Sequence, residues 1–463
     1  MKYFKKYFSY FTLTISILLI FYVFFKSEIY WDGNKRDYYK IYYLISLILI
    51  SFSIKIFFIN QKVVEYLIII FFSFIISAYF FEGYLTFKKY PLSIDLEKKA
   101  EEYKKITGLD YDLRSKFEIY NDLKQNSDNI GSIVYWSNSM IQDLKKNGDF
   151  DIIDKKIFPL SGLAKSLIIH CNENGYYSQY ESDRFGFNNP DEEWNKDSFE
   201  YFVVGDSFVH GACVNRPHDI SSNLRNSSKK EKGVINLGQG LTGPLKMYAR
   251  LREYLKPNVS NIIWVHYDGN DLSDLNDELK SNILKKYLQD ENFSQNLKLK
   301  QGIINKFSKK NIEIAEKIEL QKIVKNENIK IKEERFIYNF VRFIKLFKVR
   351  YSLISAKKYN FLIFEEILRL TNKLAKENKS NLYFVFLYGE YKYNENFPNN
   401  DKSYKKIKEI LEKLNIPLIN IHENVFLKQE NPLFLFPFQQ PGHYTIEGYQ
   451  KVANEIHRFV NQK

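Results

Sequence analysis

Tyr201-Phe202-Val203-Val204-Gly205-Asp206-Ser207-Phe208-Val209-His210-Gly211 is the stretch from which the fold of this chain is read. Its first four residues, aromatic and β-branched, read as a buried strand, and Gly-Asp-Ser turns that strand sharply into a helix or loop. The turn sets the Ser207 hydroxyl at the carboxyl edge of a parallel sheet, where open α/β folds keep their sites. Gly-Asp-Ser also occurs in ordinary turns, so its meaning depends on the rest of the chain. Val234–Leu237, Ile262–Val265, Leu382–Leu387 and Leu418–Ile421 are further apolar runs of strand length. Helical patterns separate them, notably Ile363–Glu377 and Tyr404–Leu414, and Ile446–Val460 reads as a closing helix. This alternation is the signature of a three-layer, doubly wound parallel sheet. A charged helical insertion, about 272–358, interrupts it and suits a lid, a partner surface or a coiled hairpin.

Three apolar segments precede this domain. Residues 8–25 carry no charge, 41–59 hold only Lys55, and 63–81 hold only Glu65. Each is long enough to cross a bilayer, so residues 1–86 read as a transmembrane anchor of three helices. No small-residue cleavage site follows Phe25, which argues against a signal peptide. Charge leaves the orientation nearly tied. Lys2, Lys5, Lys6, Lys55 and Lys62 favour a cytoplasmic N-terminus, against Lys26, Lys35, Arg36, Lys40, Lys88 and Lys89 on the other side. Cys171 and Cys213 lean outward, because a pair in an oxidising compartment forms a bridge; two unrelated buried thiols are the alternative. The expected placement is a multi-pass protein of a bacterial inner membrane with its globular domain outside. Residues 87–197 form a lead-in. It is helical over 94–126, then irregular or strand-rich, with turn signals at Asn172-Glu173-Asn174-Gly175 and Asn188-Asn189-Pro190.

The formal charge is +13 over 463 residues, but the lysines are scattered among abundant Asn, Ile, Phe and Tyr, as a bias toward AT-rich codons produces. With no zinc-finger spacing or RNA-binding signature, a nucleic-acid partner is not expected. The seven histidines show no metal-ligand spacing, and no phosphate loop or dinucleotide fingerprint is present, so no metal or cofactor is expected.

Three clusters sit where an α/β sheet places a site. Asn236-Leu237-Gly238-Gln239-Gly240-Leu241-Thr242-Gly243 is a loop whose backbone can approach a ligand closely, or a tight turn without one. Asp268-Gly269-Asn270-Asp271 offers a short amide at a strand end, suited to an oxyanion or to a helix cap. His443 lies just before the closing helix, a natural location for a general base. With Gly205-Asp206-Ser207, these blocks resemble the SGNH (GDSL-type) hydrolase superfamily over about residues 198–462. That resemblance implies an SGNH-like, flavodoxin-like fold and acyl transfer through Ser207. His443 would be the base, and the oxyanion donors would be the amides of Ser207 and Gly240 and the side chain of Asn270. The membrane-anchored arrangement is similar to bacterial members acting on cell-envelope polysaccharides.

Two departures follow from the same comparison. The family's block-two glycine position holds Leu241, with Gly240 one earlier, and its triad acid position, three before His443, holds Gln440. An amide carries no charge to stabilise an imidazolium. A dyad oriented by a main-chain carbonyl, or an acid brought near in space (Asp206, Asp271 or Glu447), would fill the role. The first expectation is an esterase or O-acyltransferase acting on an acylated saccharide or another ester. The second is a non-catalytic glycan-binding or assembly module, with the insertion meeting envelope-biosynthesis proteins. Tyr177, Tyr180, Trp194, Tyr267 and Tyr444 would suit stacking on sugar rings, or simply core and rim.

Overall fold

In the computed structural model, residues 2–30, 33, 36–87, 96–133, 157–327, 340–354, 359–393 and 402–462 are described. Residues 134–156 of the lead-in, 328–339 and 355–358 of the insertion, and Lys35, Lys88 and Lys89 lie outside them. The chain divides into two units: residues 1–89 with 331–356, and residues 90–330 with 357–463.

The first unit is built on helices Lys2–Phe24, Arg36–Ile56 and Gln61–Phe87. Among the described residues, three helices are long and apolar enough to cross a membrane, over Lys6–Tyr30, Tyr38–Ile56 and Gln61–Thr86. Most of their large apolar side chains face outward, among them Phe21, Leu18, Ile48, Phe74 and Phe80. A surface of that kind belongs in contact with lipid.

Among the described residues, the second unit holds two sheets. The small one joins β1 (Ile130–Ser132), β2 (Leu167–Ile169) and β3 (Gln179–Glu181), with β1 parallel and β3 antiparallel to β2. The large one joins β4 (Phe199–Val204), β5 (Gly233–Asn236), β6 (Val259–Tyr267), β7 (Asn381–Leu387) and β8 (Leu418–Asn420) in the order β5-β4-β6-β7-β8, every pair parallel. These are the five apolar runs of the sequence. The register sets Val204 beside Trp264, Trp264 beside Phe384 and Phe384 beside Leu418.

Alternation along each strand divides the core in two. Phe202, Val204, Ile262, Trp264, Phe384 and Phe386 meet helices Pro244–Tyr254, Phe361–Glu377 and Lys402–Leu414. Tyr201, Val203, Ile263, Val265, Val385 and Leu387 meet helices Ile220–Ser227 and Ile446–Asn461. Strands buried on both faces read as unbroken apolar runs, which is why the sequence exposed them.

The insertion is not one body. Its opening helices, Asp271–Glu278 and Asn282–Gln289, and helix Gln301–Glu327 send Leu272, Leu275, Leu284, Tyr287 and Ile304 into the main core. Residues 340–354 belong instead to the membrane unit. The lead-in helix breaks at Gly108, in the left-handed region at φ 73°, into Leu96–Thr107 and Lys116–Lys124.

Candidate active site

Ser207 and Asn270 sit just beyond the carboxyl ends of β4 and β6, and His443 comes from the loop before the last helix. β4 ends at Val204, and Gly205 gives the turn its room: a Cβ there would stand 2.5 Å from Val209. The Asp206 carboxylate accepts from the Phe208 amide at 2.9 Å, capping the short helix Ser207–His210 and fixing Ser207 at its first position. At the far end of the chain, the Thr445 side chain caps helix Ile446–Asn461, which places His443 in the loop leading into it.

These two residues meet. The Ser207 hydroxyl lies 2.8 Å from His443 Nε2. On the other ring edge, Nδ1 lies 3.0 Å from Glu173 Oε1, while the His443 main-chain N–H donates to Glu173 Oε2 at 2.6 Å. The carboxylate therefore grips the histidine twice. With the proton on Nδ1 facing Glu173, Nε2 is left to accept from Ser207, the relay a serine nucleophile needs. Gly442 makes the approach feasible, since a Cβ there would fall 2.8 Å from Glu173 Oε2.

The acid thus comes from none of the positions weighed in the sequence. Gln440 is buried, and the His443 Nδ1 edge faces Glu173 instead. Asp206 faces Ser207 at 3.3 Å and the Phe208 amide. Asp271 is buried 3.1 Å from His266 Nδ1 and accepts from the Tyr267 amide. Glu447 pairs with Lys451 on the closing helix. Glu173 lies in the lead-in, 270 positions from His443. A disulfide explains how it gets there. Cys171 and Cys213 are bonded, tying the chain two residues before Glu173 to the loop after the Ser207 helix. Cys213 is left-handed at φ 62°, a conformation that persists only where its surroundings fix it. Besides the bond, the Asn174 side chain donates to the Cys213 carbonyl at 2.9 Å.

Electrostatics agree with the geometry. Burial pushes the His443 imidazole down, but Glu173, then Asp206 and Glu390, outweigh it and hold His443 above its ordinary 6.5. Burial pushes Glu173 up, yet His443 and then Lys99 bring it below its ordinary 4.5. Lys99 is a buried cation of helix Leu96–Thr107, so the lead-in contributes to the site twice.

Ser207 and His443 open onto a cleft of about 310 Å³, lined also by Phe208, Tyr267, Asn270, Glu390, Pro441 and Gly442. The Asn270 side-chain N–H donates to Asp274 at 2.8 Å, which sets its amide plane, and burial, aided by Glu278, raises Asp274 to about 7. Gly240 does not line the cleft. Its loop is held from beneath, with Asn236 donating to the Val209 carbonyl at 2.6 Å and accepting from Gly238. Of the five aromatic residues suited to a sugar, Tyr267 alone lines the cleft. Tyr444 is buried behind Phe208, Trp194 donates to Asp183, Tyr180 pairs with His210 at 2.7 Å, and Tyr177 donates to the Arg114 carbonyl. His210 is buried and pushed down to about 3 by that burial and by Arg250, which leaves it a neutral core residue.

Glu173, Cys213 and His443 bring ligand-type atoms within 4.8 Å of one another. The Cys213 sulfur is bonded to Cys171 and offers no thiolate, while Glu173 and His443 satisfy each other. The cluster reads as a relay with a staple beside it, not a metal centre. In comparisons with known proteins, the chain matches no family model and no curated relative.

Proposed function

We propose that this protein is a membrane-associated serine acyl hydrolase or acyltransferase working through an acyl-Ser207 intermediate. The observation that carries the reading is the unbroken relay from the Ser207 hydroxyl through His443 to Glu173 at the mouth of the cleft. In the first half-reaction, Oγ attacks the ester carbonyl carbon as its proton passes to Nε2. The carbonyl oxygen takes the electron pair, stabilised by the amides of Ser207 and Asn270. Collapse expels the alcohol, which takes the proton from His443. In the second half, water or an acceptor hydroxyl loses its proton to His443 as it attacks the acyl carbon, and Ser207 leaves with that proton returned from His443 to its Oγ. Glu173 orients the ring and offsets the imidazolium charge in both halves.

The resemblance to SGNH hydrolases extends this reading to envelope saccharide esters, with the α/β unit outside the membrane. The disulfide supports that side, since such bonds persist in oxidising compartments. The competing view of a glycan-binding shell without chemistry drew on Gln440, and Glu173 removes that motive.

The test is labelling of the detergent-solubilised full chain by a fluorophosphonate probe, together with turnover of a short aryl ester and acetate release from acetylated envelope polysaccharide. Labelling and turnover lost in Ser207→Ala and His443→Ala are expected. A folded wild-type protein that neither reacts with the probe nor turns over ester would overturn the proposal.

A further inference from the structure

Residues 340–354, though embedded in the insertion, fold with the apolar N-terminal helices. A helical turn ends at Ile344, the chain reverses at Lys345-Leu346 with Leu346 at φ 46°, and a second helix runs Phe347–Ile354. Two anchors hold this segment to the last turns of helix Gln61–Phe87. The Tyr79 hydroxyl donates to the Ile344 carbonyl at 2.9 Å, and the Tyr79 and Phe343 rings lie 5.8 Å apart. Glu82, 1% exposed, accepts from the amides of Lys348 and Val349 at 2.9 and 2.8 Å. Those amides lie in the first turn of helix Phe347–Ile354, so the carboxylate caps the helix. An acid in an apolar span is costly unless it is satisfied, and this one is satisfied by the segment itself. The segment therefore lies against the last turns of the third apolar helix, which ends at Phe87.

Its composition suits a membrane surface. Residues 340–354 hold Arg342, Lys345, Lys348 and Arg350 and no acidic residue. Phe340, Val341 and Ile344 are 53%, 39% and 50% exposed. Arg342 lies over the Phe347 ring at 3.8 Å and Arg350 over the Tyr42 ring of the second apolar helix at 5.7 Å. Apolar residues beside basic ones, with no acid among them, are the makings of an element lying in a membrane interface.

We propose that residues 340–354 form a second membrane contact. Phe340, Val341 and Ile344 enter the acyl boundary, and Arg342, Lys345 and Lys348 meet anionic phospholipid headgroups. The occupant is lipid because the segment continues the surface of three apolar helices and its charge is of one sign. The inference is independent of the chemistry assigned to Ser207.

The test uses the full chain in phosphatidylcholine vesicles with increasing shares of phosphatidylglycerol. An environment-sensitive fluorophore is placed at I344C, with V341C as a second reporter should the first fail to fold. L427C, on an exposed site of the α/β unit, is the control. Expected is emission that blue-shifts and is quenched by spin-labelled lipid, more so as phosphatidylglycerol rises. The control should not change, and the lipid dependence should be lost in the triple variant R342Q/K345Q/K348Q. Reporters no more quenched than L427C, quenching indifferent to lipid charge, or an unchanged triple variant would each overturn the proposal. So would shielding that appears only when a second protein is added.

Discussion

Glu173 decides how the site behaves with pH. On the proposed chemistry His443 acts as base and must be neutral, and its acidic neighbours hold it above 6.5. Wild-type kcat/KM is therefore expected to fall as pH drops through a value above 6.5. In Glu173→Gln the strongest raising influence is gone, so a pH-rate profile should show the acid limb moved to lower pH. Its plateau should be lowered roughly 10²–10⁴-fold, as when a triad acid becomes an amide. The pair also links pH to stability. Glu173, depressed from 4.5, contributes above 4.5 and loses its contribution as pH falls through its folded value. His443, raised from 6.5, contributes below 6.5 and loses its contribution as pH rises through its folded value. Asn270→Ala should leave the fold intact and lower turnover about 10²–10³-fold, the cost of losing one oxyanion donor. Undiminished turnover in that variant would remove Asn270 from the hole. Ser207 and His443 were legible because each stands at a recognisable spot in the chain: a strand end and a loop before the last helix. Glu173 was hidden because its partner is 270 positions away. The sequence did carry two hints, a turn at Asn172–Gly175 and two cysteines, which point to Glu173 only when the cysteines are taken as bonded.

At the scale of elements, strands were easier to read than what joins them. β4 to β8 stand out because both faces are covered, so hydrophobicity runs without a break. The insertion carried no such mark: residues 272–327 pack with the α/β unit while 340–354 join the apolar helices, and charge pattern alone does not divide the two. The lead-in read only as a helical stretch followed by irregular or strand-rich chain, yet it sends Glu173 and Lys99 to the site. What holds its loop in place is the disulfide, whose cysteines are 42 positions apart. Closing such a loop stabilises by about 4 kcal/mol in the chain-entropy account. Cys171→Ser with Cys213→Ser is expected to melt at a lower temperature by calorimetry. It should also lose turnover beyond what the unfolded fraction explains, because the Glu173 loop loosens while Ser207 and His443 stay. Turnover that tracks the folded fraction alone would reduce the bridge to a purely stabilising role.

Across the whole molecule, three apolar helices were plain in the sequence, since long uncharged runs have few other uses. That a later segment returns to them was not, because Glu82 and the amides it accepts lie 266 and 267 positions apart. This return bears on truncation. A fragment starting near residue 90 keeps residues 340–354 but lacks Tyr79 and Glu82. It is expected to depend on detergent or to self-associate in size-exclusion chromatography, and removing residues 340–354 should relieve this. A monodisperse fragment in detergent-free buffer would count against the pairing.

The bond between Cys171 and Cys213 also carries a consequence in time. On the catalytic reading, a chain fresh from the ribosome has its serine and histidine but an untethered acid. Closing the bridge would then complete the site, so its ester chemistry would be armed only in an oxidising environment, and esters in a reducing one would be spared.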